Sequence, residues 1–131
     1  MFNLGFTEAP GGAEYSSLHV LNDHTYCCEV SVDMCATGEP PLDQAEVCRK
    51  FHEKRISTRD SDASRYGTPL MITEFGACMD TASCLQEIEA VTGVCDEHLV
   101  GWAYWQLKSF GDLTTTAGTG SEGFYNRDGS L

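Results

Sequence analysis

Apolar and polar positions fall into blocks along this chain, and the period changes from block to block. Residues 1–17 are rich in Gly and Pro, with Ala9-Pro10-Gly11-Gly12 as a strong breaker, and read as loop. Leu18 to Cys28 sets Val20, Leu21, Tyr26 and Cys27 around polar His24, the pattern of a short strand running into a polar end. Gly38-Glu39-Pro40-Pro41 breaks both helix and strand. Leu42, Ala45, Cys48, Phe51, Arg55 and Ile56 then recur mostly at steps of three and four, which predicts a helix with one buried stripe, ended by the polar stretch Ser57 to Gly67. Leu70-Met71-Ile72 is a continuous apolar run that suits a strand buried on both faces, and it leads through Thr73 to Glu74. Ser83-Cys84-Leu85-Gln86 has the form of a capping box, and Leu85, Ile88, Thr92, Cys95 and Leu99 continue a second helical stripe. Gly101 to Leu107 is a third strand, aromatic and apolar, and Asn126-Arg127-Asp128-Gly129 is a turn signal.

The order is β-α-β-α-β, which predicts an α/β fold with a parallel sheet. Strands are expected over 18–28, 69–75 and 101–107, in sequence order, with helices near 42–56 and 82–97 on one outer side. Three strands cannot close a barrel, and an open sheet of that size leaves two edges exposed. The chain reads as unfinished.

Composition narrows the function classes. Of 131 residues, 41% are hydrophobic and 21% charged, a globular balance. Eight basic against 20 acidic residues give a formal charge of −12, which disfavours nucleic acid and anionic membrane surfaces as partners. No apolar run approaches the roughly 20 residues of a membrane span, and the first residues show no signal-peptide pattern. Seven cysteines favour an oxidising compartment, so a secreted or lysosomal parent protein is expected. Cys78 with Cys84 and Cys28 with Cys35 are the local candidates for disulfides. A zinc site is not expected, because His19 and His24 have no close Cys pair beside them.

In βα folds, functional groups gather at the carboxyl ends of the strands. The first strand ends in His24-Thr25-Tyr26, where alternation puts His24 and Tyr26 on one face and Thr25 on the other. The second ends in Glu74. A carboxylate directly after a buried strand is either a functional group held at a cleft or a structural one capping the next loop. The third strand carries Trp102 and Trp105, whose separation puts them on opposite faces; Trp105, nearer the carboxyl end, is the better candidate for a cleft.

Together these strand ends resemble glycoside hydrolase family 5. His24-Thr25-Tyr26, Thr73-Glu74-Phe75-Gly76 and Gly101-Trp102-Ala103-Tyr104-Trp105 look like its strands six, seven and eight. Leu21 to Cys27, Lys108-Ser109-Phe110, Thr114-Thr115-Thr116 and Glu122 to Leu131 are similar to its endoglycoceramidase and glucosylceramidase branch. The resemblance implies that residues 1–131 are the incomplete C-terminal part of a (β/α)8 TIM barrel, strands six to eight with intervening helices. It also implies a retaining glycosidase acting on glycosphingolipids or other oligosaccharide-bearing substrates, with no metal or organic cofactor and with membrane contact only through a lipid substrate. It assigns Glu74 as nucleophile, Tyr26 as the hydroxyl that hydrogen-bonds it, His24 as a group that helps order the acid/base side, and Trp105 as the platform under the sugar. The general acid/base of such an enzyme lies in an Asn-Glu pair, and this chain contains no Asn-Glu dipeptide. Two other readings stay open: a non-catalytic carbohydrate- or lipid-binding remnant, and an unrelated small α/β domain with a structural Glu74.

Overall fold

The computed structural model describes residues 8–29, 40–76, 81–108, 123, 125 and 128–130. Strands β1 (Leu21–His24), β2 (Leu70–Glu74) and β3 (Gly101–Trp102) form one sheet in the order β1-β2-β3, with both pairings parallel. Helix α1 (Ala45–Tyr66) connects β1 to β2, and α2 (Ala82–Glu97) connects β2 to β3. The fold is α/β with a small parallel sheet, as the alternation of periods predicts. β3 is shorter than expected, but the chain continues beside β2: Ala103 N–H donates to Ile72 O at 2.8 Å and Trp105 N–H to Phe75 O at 2.9 Å.

The start of the described chain departs from the loop reading. Gly12 N–H donates to Ala9 O at 2.9 Å, closing a turn with Pro10 and Gly11 at its centre, and Ala13–Leu18 then forms a 3-10 helix. Gly11 at φ 80 supplies the left-handed conformation such a turn requires. Of the expected turn, Asn126 and Arg127 lie outside the described residues; Asp128 and Gly129 are in turn and bend conformation, with Ser130 N–H donating to the Asp128 carboxylate at 3.0 Å.

Helix α1 runs well past the predicted end. Ser57 to Tyr66 is polar yet helical, because Arg59, Asp62 and Arg65 pair at i,i+3 spacing and Thr58 turns its hydroxyl back to Lys54 O at 2.7 Å. Gly67, in the left-handed region at φ 68, ends it. The buried stripe also differs from the expected one: it is Cys48, His52, Ile56, Arg59 and Ala63, whereas Leu42 is exposed. The apolar pattern was misleading because two of the five residues this helix buries, His52 and Arg59, are polar. At α2 the cap is Thr81, whose hydroxyl accepts from Cys84 N–H at 3.2 Å, and not Ser83. Ser83 instead donates its hydroxyl to Pro40 O. The buried face of α2 is Cys84, Val91, Val94 and Cys95, while Leu85 and Leu99 lie outside it, exposed.

Both helices pack on one face of the sheet, as expected, and on each other. The core is Ile56 and Ala63 of α1, Leu70, Ile72 and Phe75 of β2 and its end, Val91, Val94 and Cys95 of α2, and Val100. Among the described residues no helix is long and apolar enough to cross a membrane.

A disulfide joins Cys27 to Cys48, both buried. Sequence reasoning missed this pairing, since it depends on α1 lying along β1. Cys28 and Cys84 are also disulfide-bonded, while Cys35 and Cys78, their expected partners, lie outside the described residues. Cys95 is free and buried, and burial, with a smaller effect from the neighbouring Asp96 charge, pushes its thiol up to about 11. The protonated thiol is therefore favoured in the folded state. Its contribution to stability is complete below the ordinary thiol value of 9.0 and is lost as pH rises through about 11. We expect Cys95 to resist iodoacetamide at pH 8 in the native protein and to label after denaturation without reductant. Rapid native labelling would show that this helix face opens.

Candidate active site

The position of Glu74 depends on an irregularity in β2. Leu21 pairs with Leu70, Asn22 with Met71 and Asp23 with Ile72, but His24 pairs with Glu74, so Thr73 is an extra residue. Leu70 and Ile72 face the helices, and strict alternation would send Glu74 into the same core. Phe75 is in that core instead, only 1% exposed. The bulge resets the parity and turns Glu74 to the open face of the sheet, a common use of bulges beside functional sites. Thr73 donates its hydroxyl to Asn22 Oδ1 at 2.6 Å, tying the bulge to β1.

On that open face the strand-end groups meet. Tyr26 donates its hydroxyl to Glu74 Oε1 at 2.9 Å, and His24 Nδ1 lies 3.5 Å from Oε2. Each carboxylate oxygen thus has its own neighbour. The Glu74 side chain keeps 26% exposure, enough for a ligand to reach it. His24 and Tyr26 share this face while Thr25 is buried on the other, as alternation predicts.

Trp105 sits at the same carboxyl end, its backbone paired with Gly76, two residues after Glu74. Trp102 and Tyr104 both pack edge-on against Phe75, with ring centroids 5.6 Å apart in each case. They therefore lie on the same side as Phe75, and alternation predicts the Trp105 ring on the opposite side. Gly76 has φ 104, and a Cβ there would lie 2.1 Å from the Tyr104 ring. Only glycine fits between the strand end that carries Glu74 and this ring.

Sequence reasoning missed the groups behind the site. Thr25 Oγ1 is 2.7 Å from His52 Nδ1, and His52 Nε2 is 2.8 Å from Glu87 Oε2. Asp23 binds Arg55 through both oxygens and also Arg59 Nε at 3.1 Å. The signal was present as period two in β1 against steps of three and four in α1, but in polar residues, where periodicity is not normally sought. Among the described residues, Cys27, Cys48 and Glu87 bring potential metal donors within 4.8 Å of one another, yet the two sulfurs are bonded to each other. That leaves one carboxylate, too little to hold a metal ion in this state.

Comparison with characterised proteins finds an endoglycoceramidase of Cyanea nozakii, 27% identical over 130 residues, which is 99% of this chain. The likeness is to a glycosidase, and it is distant. The chain spans 22% of the length of that protein. No family model matches the chain, and no solved structure matches it significantly.

Proposed function

We propose that this chain is the C-terminal part of a retaining glycoside hydrolase of family 5 type, with β1, β2 and β3 as strands six to eight of a (β/α)8 barrel. The observation that carries the reading is the Glu74 carboxylate at a strand end, held by the Tyr26 hydroxyl at 2.9 Å with His24 at its second oxygen. The likeness to an endoglycoceramidase over nearly the whole chain supports it, as do three parallel strands in sequence order.

In this reading Glu74 attacks the anomeric carbon and forms a glycosyl-enzyme, expelling the aglycone. A second carboxyl, about 5–5.5 Å away as in retaining enzymes generally, protonates the leaving oxygen and then activates the water that releases the sugar. That acid/base group comes from a segment outside these 131 residues, because nothing in the chain matches it. Tyr26 and His24 fix the direction of the nucleophile, so the attacking oxygen spends little time misaligned. Trp105 offers its ring under the sugar. The substrate class is glycosphingolipid, with ceramide as leaving group, and the disulfides fit a secreted or lysosomal setting. No metal or organic cofactor takes part.

Mechanism-based labelling tests the assignment. A 2-fluoro glycoside incubated with the longer protein should leave its sugar on the peptide that contains Glu74, read by mass spectrometry. A label on any other residue removes Glu74 as nucleophile. The 131-residue chain alone should hydrolyse neither glucosylceramide nor an aryl β-glucoside.

A further inference from the structure

Tyr26 lies beyond the last paired residue of β1. Its neighbours on either side are fixed, and both from α1. Thr25 is bonded to His52 at 2.7 Å, and Cys27 is joined covalently to Cys48. Two residues earlier, Asp23 is clasped by Arg55 and Arg59. These contacts form a register: every second residue from Asp23 to Cys27 meets a residue three or four earlier along α1, which runs antiparallel to the strand. Two strand residues advance about 6.6–6.8 Å and four helical residues about 6 Å, so the two rows stay in step.

The middle contact is wholly buried and extends to a third element. Thr25 is 1% exposed and His52 0%, and His52 is held in turn by Glu87 of α2 at 2.8 Å. Apolar residues of similar volume would fill this space without desolvating polar groups, so packing alone does not account for the chain. Directional bonds supply what packing does not, a single register of strand on helix.

We propose that Thr25 and His52, backed by Glu87, are positioning residues for Tyr26 and through it for Glu74. The catalytic part of this inference rests on the glycosidase reading; the structural part does not. Thr25, one face away from Tyr26, sets where the Tyr26 hydroxyl stands relative to the carboxylate. If Thr25 slips, the Tyr26 donor moves off Glu74 Oε1 and the nucleophile loses its fixed direction.

The test compares Thr25→Val, which keeps the shape and deletes the hydroxyl, with Thr25→Ser, which keeps the hydroxyl. In the chain carrying ¹³C-labelled glutamate and tyrosine, the Glu74 carboxylate signal in Thr25→Val should move towards its position in Tyr26→Phe. Thr25→Ser should return it to the wild-type position. In the longer protein, with a fluorogenic aryl β-glucoside, Thr25→Val should lower kcat by roughly 10–100-fold with KM nearly unchanged, and Thr25→Ser should restore kcat. A Thr25→Val protein with wild-type Glu74 and Tyr26 signals overturns the inference. So does one that loses thermal stability but keeps kcat. Should Thr25→Val not fold, Glu87→Gln, which weakens the hold on His52 without removing it, is read the same way: a shifted Glu74 signal supports the inference and an unmoved one overturns it. If the signals respond as expected but the longer wild-type protein cleaves no glycoside, the positioning stands and the glycosidase reading fails.

Discussion

Replacing Glu74 with glutamine in the longer protein is expected to abolish turnover, lowering kcat by roughly 10⁴-fold or more, while substrate binding largely survives. The amide has nearly the shape of the carboxylate and can still meet Tyr26, but it cannot form the glycosyl-enzyme. Binding energy comes mostly from contacts away from the attacking oxygen, so KM should change little. Steady-state kinetics with a separate binding measurement decides it. Near-normal activity in Glu74→Gln would leave the carboxylate a structural role, the open-face counterpart of a loop cap, and would remove the main support for the reading as a hydrolase.

The second large effect is on stability. Gly76→Ala forces a side chain into a left-handed backbone at φ 104 and into the Tyr104 ring. The strained backbone costs about 1–3 kcal/mol, and the overpacking about as much again. Moving Tyr104 aside is not free either, since that ring packs edge-on against buried Phe75 at 5.6 Å. Against the roughly 5–15 kcal/mol that holds a typical domain together, the loss is large. Urea denaturation should show a much lower midpoint for Gly76→Ala. Made in a Tyr104→Ala background, the same substitution should cost only the backbone share. A full cost in that background would mean that the ring contact is not what excludes a side chain.

The element types were legible in the sequence because their periods are strong, and the strand order follows from helix-length connections. Leu70 to Ile72 forms the expected strand, though only Leu70 and Ile72 are buried and Met71, on the other face, is partly exposed. The meeting of Tyr26, His24 and Glu74 was legible as well, since all three end neighbouring parallel strands. What sequence could not supply was the parity of Glu74. Alternation from Leu70 and Ile72 points it into the helices, and only the extra residue at Thr73 turns it outward. A bulge is a property of two paired strands, and neither strand announces it alone. The extent of α1 was missed for a related reason. Beyond Ile56 the helix buries only Arg59, held by Asp23, and Ala63, so a search for apolar positions stopped where the polar ones took over.

The cysteine that anchors this arrangement has an immediate neighbour of the same kind. Cys27 and Cys28 are adjacent, both are oxidised, and only Cys27 is joined to Cys48. During oxidation α1 therefore meets a choice between two sulfurs one residue apart. Closing the wrong one would shift the strand by one position against the helix and exchange its two faces, sending Tyr26 towards α1 and Thr25 towards the cleft. Such an isomer can be corrected only by a thiolate that reopens the bond. A chain that closed the wrong sulfur would regain the Tyr26–Glu74 contact only after that reopening.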